Sequence, residues 1–305
     1  MEYQSFLAEV KESIKKKLYG KVDVQDFHAV KNNGEMRRGF LFQSYNGNIS
    51  PVIYMEDYFR RYNEGEEIEE IIEELEIFYD HVKKVPDPVM EAEKLSDFRE
   101  MKNRIVFRLV NRERNTDLLR EVPSYSFQDL AVIFYVLFDA RKYHAISMLI
   151  TREHLKKWGI QEEDIWQYAK VNTPRLLPPE IKDIHEMLKE FLTPQEVKKD
   201  ERFRGNLFVL TNIQRNYGAS VVIYPGVLEK ISDIWKESFY ILPSSVHEMI
   251  LVPESKSPSA GALKEAVYSI NRTDVAKEEW LSDRVYYFQR EKKEVFDIDI
   301  MQNLC

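Results

Sequence analysis

With 305 residues, 44% of them apolar and 12% aromatic, the chain has material for a substantial hydrophobic core and is not a disordered polymer. A net charge of −8 and a pI near 5.5 argue against a general nucleic-acid or anionic-membrane binder, which needs clustered Lys and Arg to displace counterions. The single cysteine, Cys305, excludes an intramolecular disulfide, and no apolar run approaches the roughly 20 residues of a membrane helix. The opening segment Met1 to Phe6 lacks the basic start and apolar stretch of a signal peptide, so a cytoplasmic location is expected.

Tyr3 to Leu18 carries Phe6, Leu7, Val10, Ile14 and Leu18 at helical spacing, and Gly20 supplies a stop. Strand-like segments follow at Val22 to Val30, Gly39 to Gln43 and Ile49 to Tyr54. Asn32-Asn33-Gly34 and Asn46-Gly47 join them, and Asn-Gly tolerates the positive φ of a tight hairpin. From Met55 to Val85 the pattern turns helical, with Ile68, Ile71, Ile72, Leu75, Phe78, Tyr79 and Val82 on one stripe. Glu66, Glu67, Glu69, Glu70, Glu73, Glu74 and Glu76 lie opposite. This acidic helix, 56–82, reads either as a solvated face or as a surface for a basic protein partner. Pro86-Asp87-Pro88 breaks it and separates an N-terminal region, 1–86, from the remainder, 87–305.

A helix from Met90 to about Lys102 and a strand at Ile105 to Val110 open the second region. Leu130 to Phe138 and Ala145 to Ile150 then read as a hairpin, followed by a helix that Thr151 caps and Gly159 ends. A second series has the same order: Leu207 to Asn212, a turn at Asn216-Tyr217-Gly218, Ala219 to Tyr224, and a helix from Gly226 to Trp235. A repeated strand-turn-strand-helix unit is therefore expected. Between the copies lie a helix at Gln161 to Lys170, a proline-rich crossing at Thr173 to Pro179 and a helix at Ile181 to Phe191. The charged connector Thr193 to Arg204 is a second candidate boundary. A third hairpin pairs Phe239 to Leu242 with Val246 to Val252 around Pro243-Ser244-Ser245, and a helix follows at Ala262 to Asn271. Arg284 to Phe288 and Glu294 to Ile298 close the chain as one more hairpin. The fold class is α+β, with antiparallel hairpins covered by helices.

The six histidines show no H-E-x-x-H and have no C-x-x-C partner, and neither glycine-rich phosphate loop is present, so no metal and no cofactor is expected. Two constellations carry candidate chemistry. Ser245, His247 and Glu248 put a hydroxyl, an imidazole and a carboxylate close together, but an extended Val246 to Val252 would point His247 and Glu248 to opposite faces. Asn271 and Arg272 set an amide beside a guanidinium that can hold a carboxylate or phosphate. The plainer account is a helix end at Asn271, with Thr273 or Asp274 capping another helix through Trp280. A basic patch at Lys102, Arg104, Arg108, Arg112 and Arg114 is diluted by Glu100 and Glu113. The leading expectation is a non-enzymatic binding or interaction protein with a broad surface groove and no deep polar pocket. The alternative is a hydrolase or transferase of unfamiliar type on Ser245, His247, Glu248, Asn271 and Arg272. A third reading is an acidic immunity-type or nucleic-acid-mimic protein.

The segments Lys31 to Gly34, Asn48 to Tyr54, Asp129 to Phe138, Ile146 to Gly159, Asn172 to Pro178, Tyr224 to Leu228, Ile241 to Glu248 and Asn271 to Thr273 together span most of the chain. They resemble an uncharacterised family of bacterial proteins, common in clostridia-like bacteria and catalogued as a domain of unknown function of the DUF5688 type. From Ile105 onward the layout is also similar to a more distant uncharacterised family, the YtpQ-like proteins of bacilli. The resemblance implies a bacterial cytoplasmic protein and assigns no catalytic or binding residue.

Overall fold

The computed structural model describes residues 2–44, 52–82, 97–141, 144–189 and 205–302, with nothing to say of the side chains at 44, 80–82, 139–146, 188 and 301–302. The chain divides into two compact units, Met1–Asp97 and Phe98–Cys305. Asn46-Gly47, Pro86 to Pro88, Met90 and the connector Thr193 to Arg204 fall outside the described residues.

In the first unit, helix α1 (Tyr3–Lys17) buries Phe6, Val10 and Ile14 on one face, and Gly20 at φ +75° turns the chain away. Strands β1 (Val22–Val30), β2 (Met36–Ser44) and β3 (Val52–Tyr54) form an antiparallel sheet in that order. The tight β1–β2 turn places Asn33 at φ 61° and Gly34 at φ 72°. The expected single helix is two, α2 (Glu56–Asn63) and α3 (Ile68–Val82). Gly65 at φ +108° makes the break, because a backbone there leaves the helical region. Ile68, Ile71, Ile72, Leu75 and Tyr79 join the core formed with α1 and the sheet, whereas Phe78 is 39% exposed and lies off the stripe.

The second unit begins with α4 (Phe98–Met101) and β4 (Ile105–Asn111), all of whose residues are buried. After α5 (Thr116–Glu121), strands β5 (Ser124–Phe127), β6 (Leu130–Arg141) and β7 (His144–Leu149) complete a four-stranded antiparallel sheet. The long β6 pairs β4 along one edge, while β5 and β7 share its other edge end to end. Helix α6 (Arg152–Trp158) starts where the Thr151 N–H donates to His154 Nδ1 (3.0 Å) and stops at Gly159, φ +68°.

The next helix, α7 (Glu162–Leu176), passes through Pro174 instead of ending before it. Packing on β4 outweighs the missing N–H: Thr173 Oγ1 accepts from Phe107 N (3.1 Å) and Asn172 Nδ2 donates to Lys102 O (2.7 Å). The helix expected at Ile181 to Phe191 is a strand, β8 (Pro179–Asp183), followed by the short α8 (Ile184–Leu188). Five residues of β8 pair with β9 (Phe208–Asn212) at the sheet edge, a place where a first-position proline is tolerated.

Helix α9 (Val227–Trp235), the hairpin β10 (Phe239–Ser245) and β11 (Glu248–Pro253), and helix α10 (Ala260–Thr273) follow. The chain closes with β12 (Tyr286–Gln289), β13 (Glu294–Asp297) and α11 (Ile298–Gln302). A six-stranded antiparallel sheet runs β13-β12-β10-β11-β9-β8. Among the described residues the protein forms three antiparallel sheets and is α+β, the class the sequence implies.

The repeated unit is not seen. Gly218–Ile223 is a buried 3-10 helix where a second strand was expected. A Cβ on Gly218 would lie 2.1 Å from Thr211 Oγ1 and 2.6 Å from His247 O, so this segment wedges against β9 and the β10–β11 turn rather than pairing as a strand. Nor does a helix occupy Asp274 to Trp280; the Glu279 and Trp280 N–H groups both donate to Ala276 O in a single turn.

Candidate functional site

His247 lies in the β10–β11 turn and not on a strand, because β10 runs on through Pro243, Ser244 and Ser245 with an irregularity between Pro243 and Ser245. The pairing of β10 with β12 stops at Ile241, so Pro243 sits beyond those rungs. His247 and Glu248 are therefore released from opposite-face geometry, contrary to the expectation for an extended segment.

Both imidazole nitrogens face partners other than a hydroxyl. Nδ1 accepts from the Tyr217 backbone N–H (3.1 Å), and Nε2 stands 3.5 Å from Glu279 Oε1. That arrangement sets the ring proton on Nε2. Ser245 Oγ accepts from the His247 N–H (3.0 Å), and Ser244 Oγ lies 3.5 Å from Glu248 Oε1. A serine nucleophile needs an imidazole nitrogen within hydrogen-bond reach, and here the serines bond backbone and carboxylate.

Burial pushes the Glu248 carboxyl above its ordinary range, against the opposing pull of His247, Ser244 and Arg215. An acid whose folded pKa is raised loses folding stability as pH climbs from the unfolded carboxylate range through the folded value. Glu248→Gln is accordingly expected to raise Tm near pH 7 and to leave it unchanged near about pH 4, read from melting curves across pH. A lower Tm for the variant at neutral pH would mean that the carboxylate is a net partner of His247.

Asn271 and Arg272 belong to a different cluster. Asn271 is buried and donates to Ser282 O and Asp283 Oδ1, both at 2.8 Å. Arg272 grips Asp283 with two bonds, 3.1 and 2.9 Å, and stacks on Tyr268. Burial pushes the Asp283 carboxyl up, but the bonds from Arg272, Asn271 and Trp280 outweigh it and hold the group below the usual range. These contacts tie the end of α10 to the segment before β12. The five candidates thus divide between His247 and Asp283, two separate centres.

The basic patch is likewise dispersed into structure. Arg112 donates to Gln128 O and Leu130 O, Arg114 stacks on Trp280, Arg104 reaches Phe138 O, and Arg108 is buried. In the acidic series, Glu66, just before α3, and Glu74 on it clamp Arg61, and Glu76 pairs with Lys17, which leaves Glu67, Glu69, Glu70 and Glu73 exposed.

Sequence reasoning missed a cavity of about 390 Å³ in the second unit, within the roughly 300–1,000 Å³ of small-molecule sites. Leu242, Ile250 and Val252 of β10 and β11 form its floor, and Ala262, Leu263, Ala266, Val267 and Ile270 of α10 form a wall. Ile184 and Leu207 extend it, with Ser244, Asn206 and Lys256 as its polar groups. The small Ala262 and Ala266, one helical turn apart, leave the space; a Leu at either position would fill it. That pair of alanines beside Leu263 and Val267 was the available signal.

The first unit has a polar hollow of about 370 Å³ between α1 and β1–β2, lined by Lys11, Glu12, Asp26, His28 and Arg38 among others. A Lys11–Asp26 ion pair of 2.6 Å lies within it.

Among the described residues no group of His, Cys, Asp and Glu is placed to hold a metal ion, and no helix is long and apolar enough to cross a membrane. No curated protein and no solved structure matches the chain. One family model matches, over residues 3–290, and it is described as a family of unknown function. The match covers nearly the whole chain and both units, and the chain belongs to this family, DUF5688.

Proposed function

We propose that the protein is a non-catalytic binding protein that holds a small apolar ligand in the groove between α10 and the β10–β11 face. The observation that carries this reading is the groove itself: an apolar floor and wall with three polar groups, which suits a ligand oriented by one or two hydrogen bonds. The commitments of His247 and the separation of Asn271 and Arg272 from it support binding over hydrolase or transferase chemistry. The sequence resemblance to bacterial proteins, clostridial and YtpQ-like, and the single cysteine support reading it as a bacterial cytoplasmic protein.

Titration with anilinonaphthalene sulfonate, which fluoresces on entering apolar sites, tests the proposal. A saturable rise at one dye per chain is expected. Absence of saturable binding by the folded protein would defeat it.

A second reading, a basic protein partner on the acidic helix, is favoured by Glu69, Glu70 and Glu73, which are exposed and carry no ion pair among the described residues. Reversing all three to Lys is expected to weaken such a partner at least about ten-fold in affinity capture, since like charges across an interface repel. Undiminished capture rules this partner surface out, and with it the mimic reading.

A further inference from the structure

We propose that Arg108 is the centre of a second binding site, one that takes a small oxyanion, carboxylate or phosphate. Arg108 stands in the middle of β4 and is only 8% exposed. Its guanidinium carbon lies 3.9 Å from the ring centroid of Tyr135 and 3.9 Å from that of Tyr217. Both rings therefore pack against the guanidinium. Nη2 donates to Ser147 Oγ at 2.8 Å.

Among the described residues, no carboxylate pairs with this buried cation. A buried charge ordinarily has an ionic partner, because removal from water is costly and cation–π contacts offset only part of that cost. The groups that face it are neutral: the Ser147 hydroxyl and two phenols, with the Tyr135 hydroxyl kept protonated by its burial. The carboxylates beside His247 are directed elsewhere, Glu279 to His247 and Glu248 to Ser244. A guanidinium has five N–H donors in one plane; Ser147 takes a bond from this one, as does the Tyr135 hydroxyl, and the other donors remain for a ligand. Its remaining in-plane donors match a carboxylate or phosphate, which bind a guanidinium in its plane.

The second ring is held in place at a cost. Tyr217 has φ 52°, a left-handed conformation uncommon for a residue with a Cβ, and its N–H is fixed by His247 Nδ1. Asn212, fully buried, accepts from the Gln214 and Asn216 N–H groups and donates to Asn216 O, which shapes the loop that delivers Tyr217. This assigns His247 a positioning role: it orients the ring that covers Arg108.

The site is independent of the α10 groove and is tested separately. Melting curves of the full chain are recorded with inorganic phosphate, with acetate and with chloride at constant ionic strength. A saturable rise in Tm with phosphate or acetate, absent with chloride, is expected, and the stronger of the two identifies the oxyanion. Arg108→Met is expected to abolish the rise, and Ser147→Ala to weaken the affinity about five-fold, the equivalent of one hydrogen bond. Should Arg108→Met fail to fold, Ser147→Ala decides alone. No anion-specific rise in the wild type, or a rise unaltered in the folded variants, overturns the proposal.

Discussion

Gly218→Ala is expected to destabilise the protein by about 3 kcal/mol, at the upper end of what overpacking costs. The added Cβ would stand 2.1 Å from Thr211 Oγ1, 2.6 Å from His247 O and 2.7 Å from Asn212 N. Two of these atoms are backbone, and Thr211 Oγ1 itself donates to His247 O at 2.8 Å, so no flexible side-chain end is available to give way. The strain falls where β9, the Gly218–Ile223 turn and the β10–β11 hairpin meet, and it would move Tyr217 and His247 together. Urea unfolding checks the magnitude. A loss below about 1 kcal/mol, the common effect of a point substitution, would mean that this junction is looser than the packing around Gly218 indicates.

Ala266→Trp is expected to abolish dye binding in the groove while the fold survives. Ala266 is exposed on α10 and lines the cavity, so an indole there has room to lie along Leu242, Ile250 and Val267 without displacing the core. Substitutions at exposed positions ordinarily change stability by within about 0.5 kcal/mol, which keeps loss of binding separable from loss of structure. Dye fluorescence and a melting curve of the same sample test both halves. An unchanged dye affinity with an unchanged Tm would place the dye elsewhere.

The parts of the fold that were legible in the sequence are those set by local chemistry. Phe6, Val10 and Ile14 fix α1 by spacing alone, and Gly20 and Gly159 end their helices because each takes a positive φ. The misreadings arise where tertiary contacts override local preference. Pro174 ought to end a helix, yet Thr173 and Asn172 anchor that helix to β4 and the residues before it. Ala219 to Ile223 has strand-like composition, but Gly218 brings the backbone too close to Thr211 and His247 for a further rung. Pro243-Ser244-Ser245 looked like the turn, and the real turn came two residues later because the β12 ladder had already ended.

The candidate site was legible in residue type and illegible in partnership. His247, Ser245 and Glu248 do lie together, but the bonds that decide their roles come from Tyr217 and Glu279, each about 30 residues away in sequence. Arg108 looked like one member of a basic run. Its burial between Tyr135 and Tyr217 depends on strand register and on a left-handed residue, neither of which a charge pattern encodes. The groove depends on what α10 omits at Ala262 and Ala266, and an omission has meaning only once the opposite wall is known.

The most direct test of binding in the α10 groove is affinity capture of the tagged chain from native cells, followed by solvent extraction and mass spectrometry of what it retains. A single apolar small molecule near one per chain, retained by the wild type and lost from Ala266→Trp, is the predicted result. A wild-type protein that retains no small molecule, or one equally retained by the variant, would contradict it.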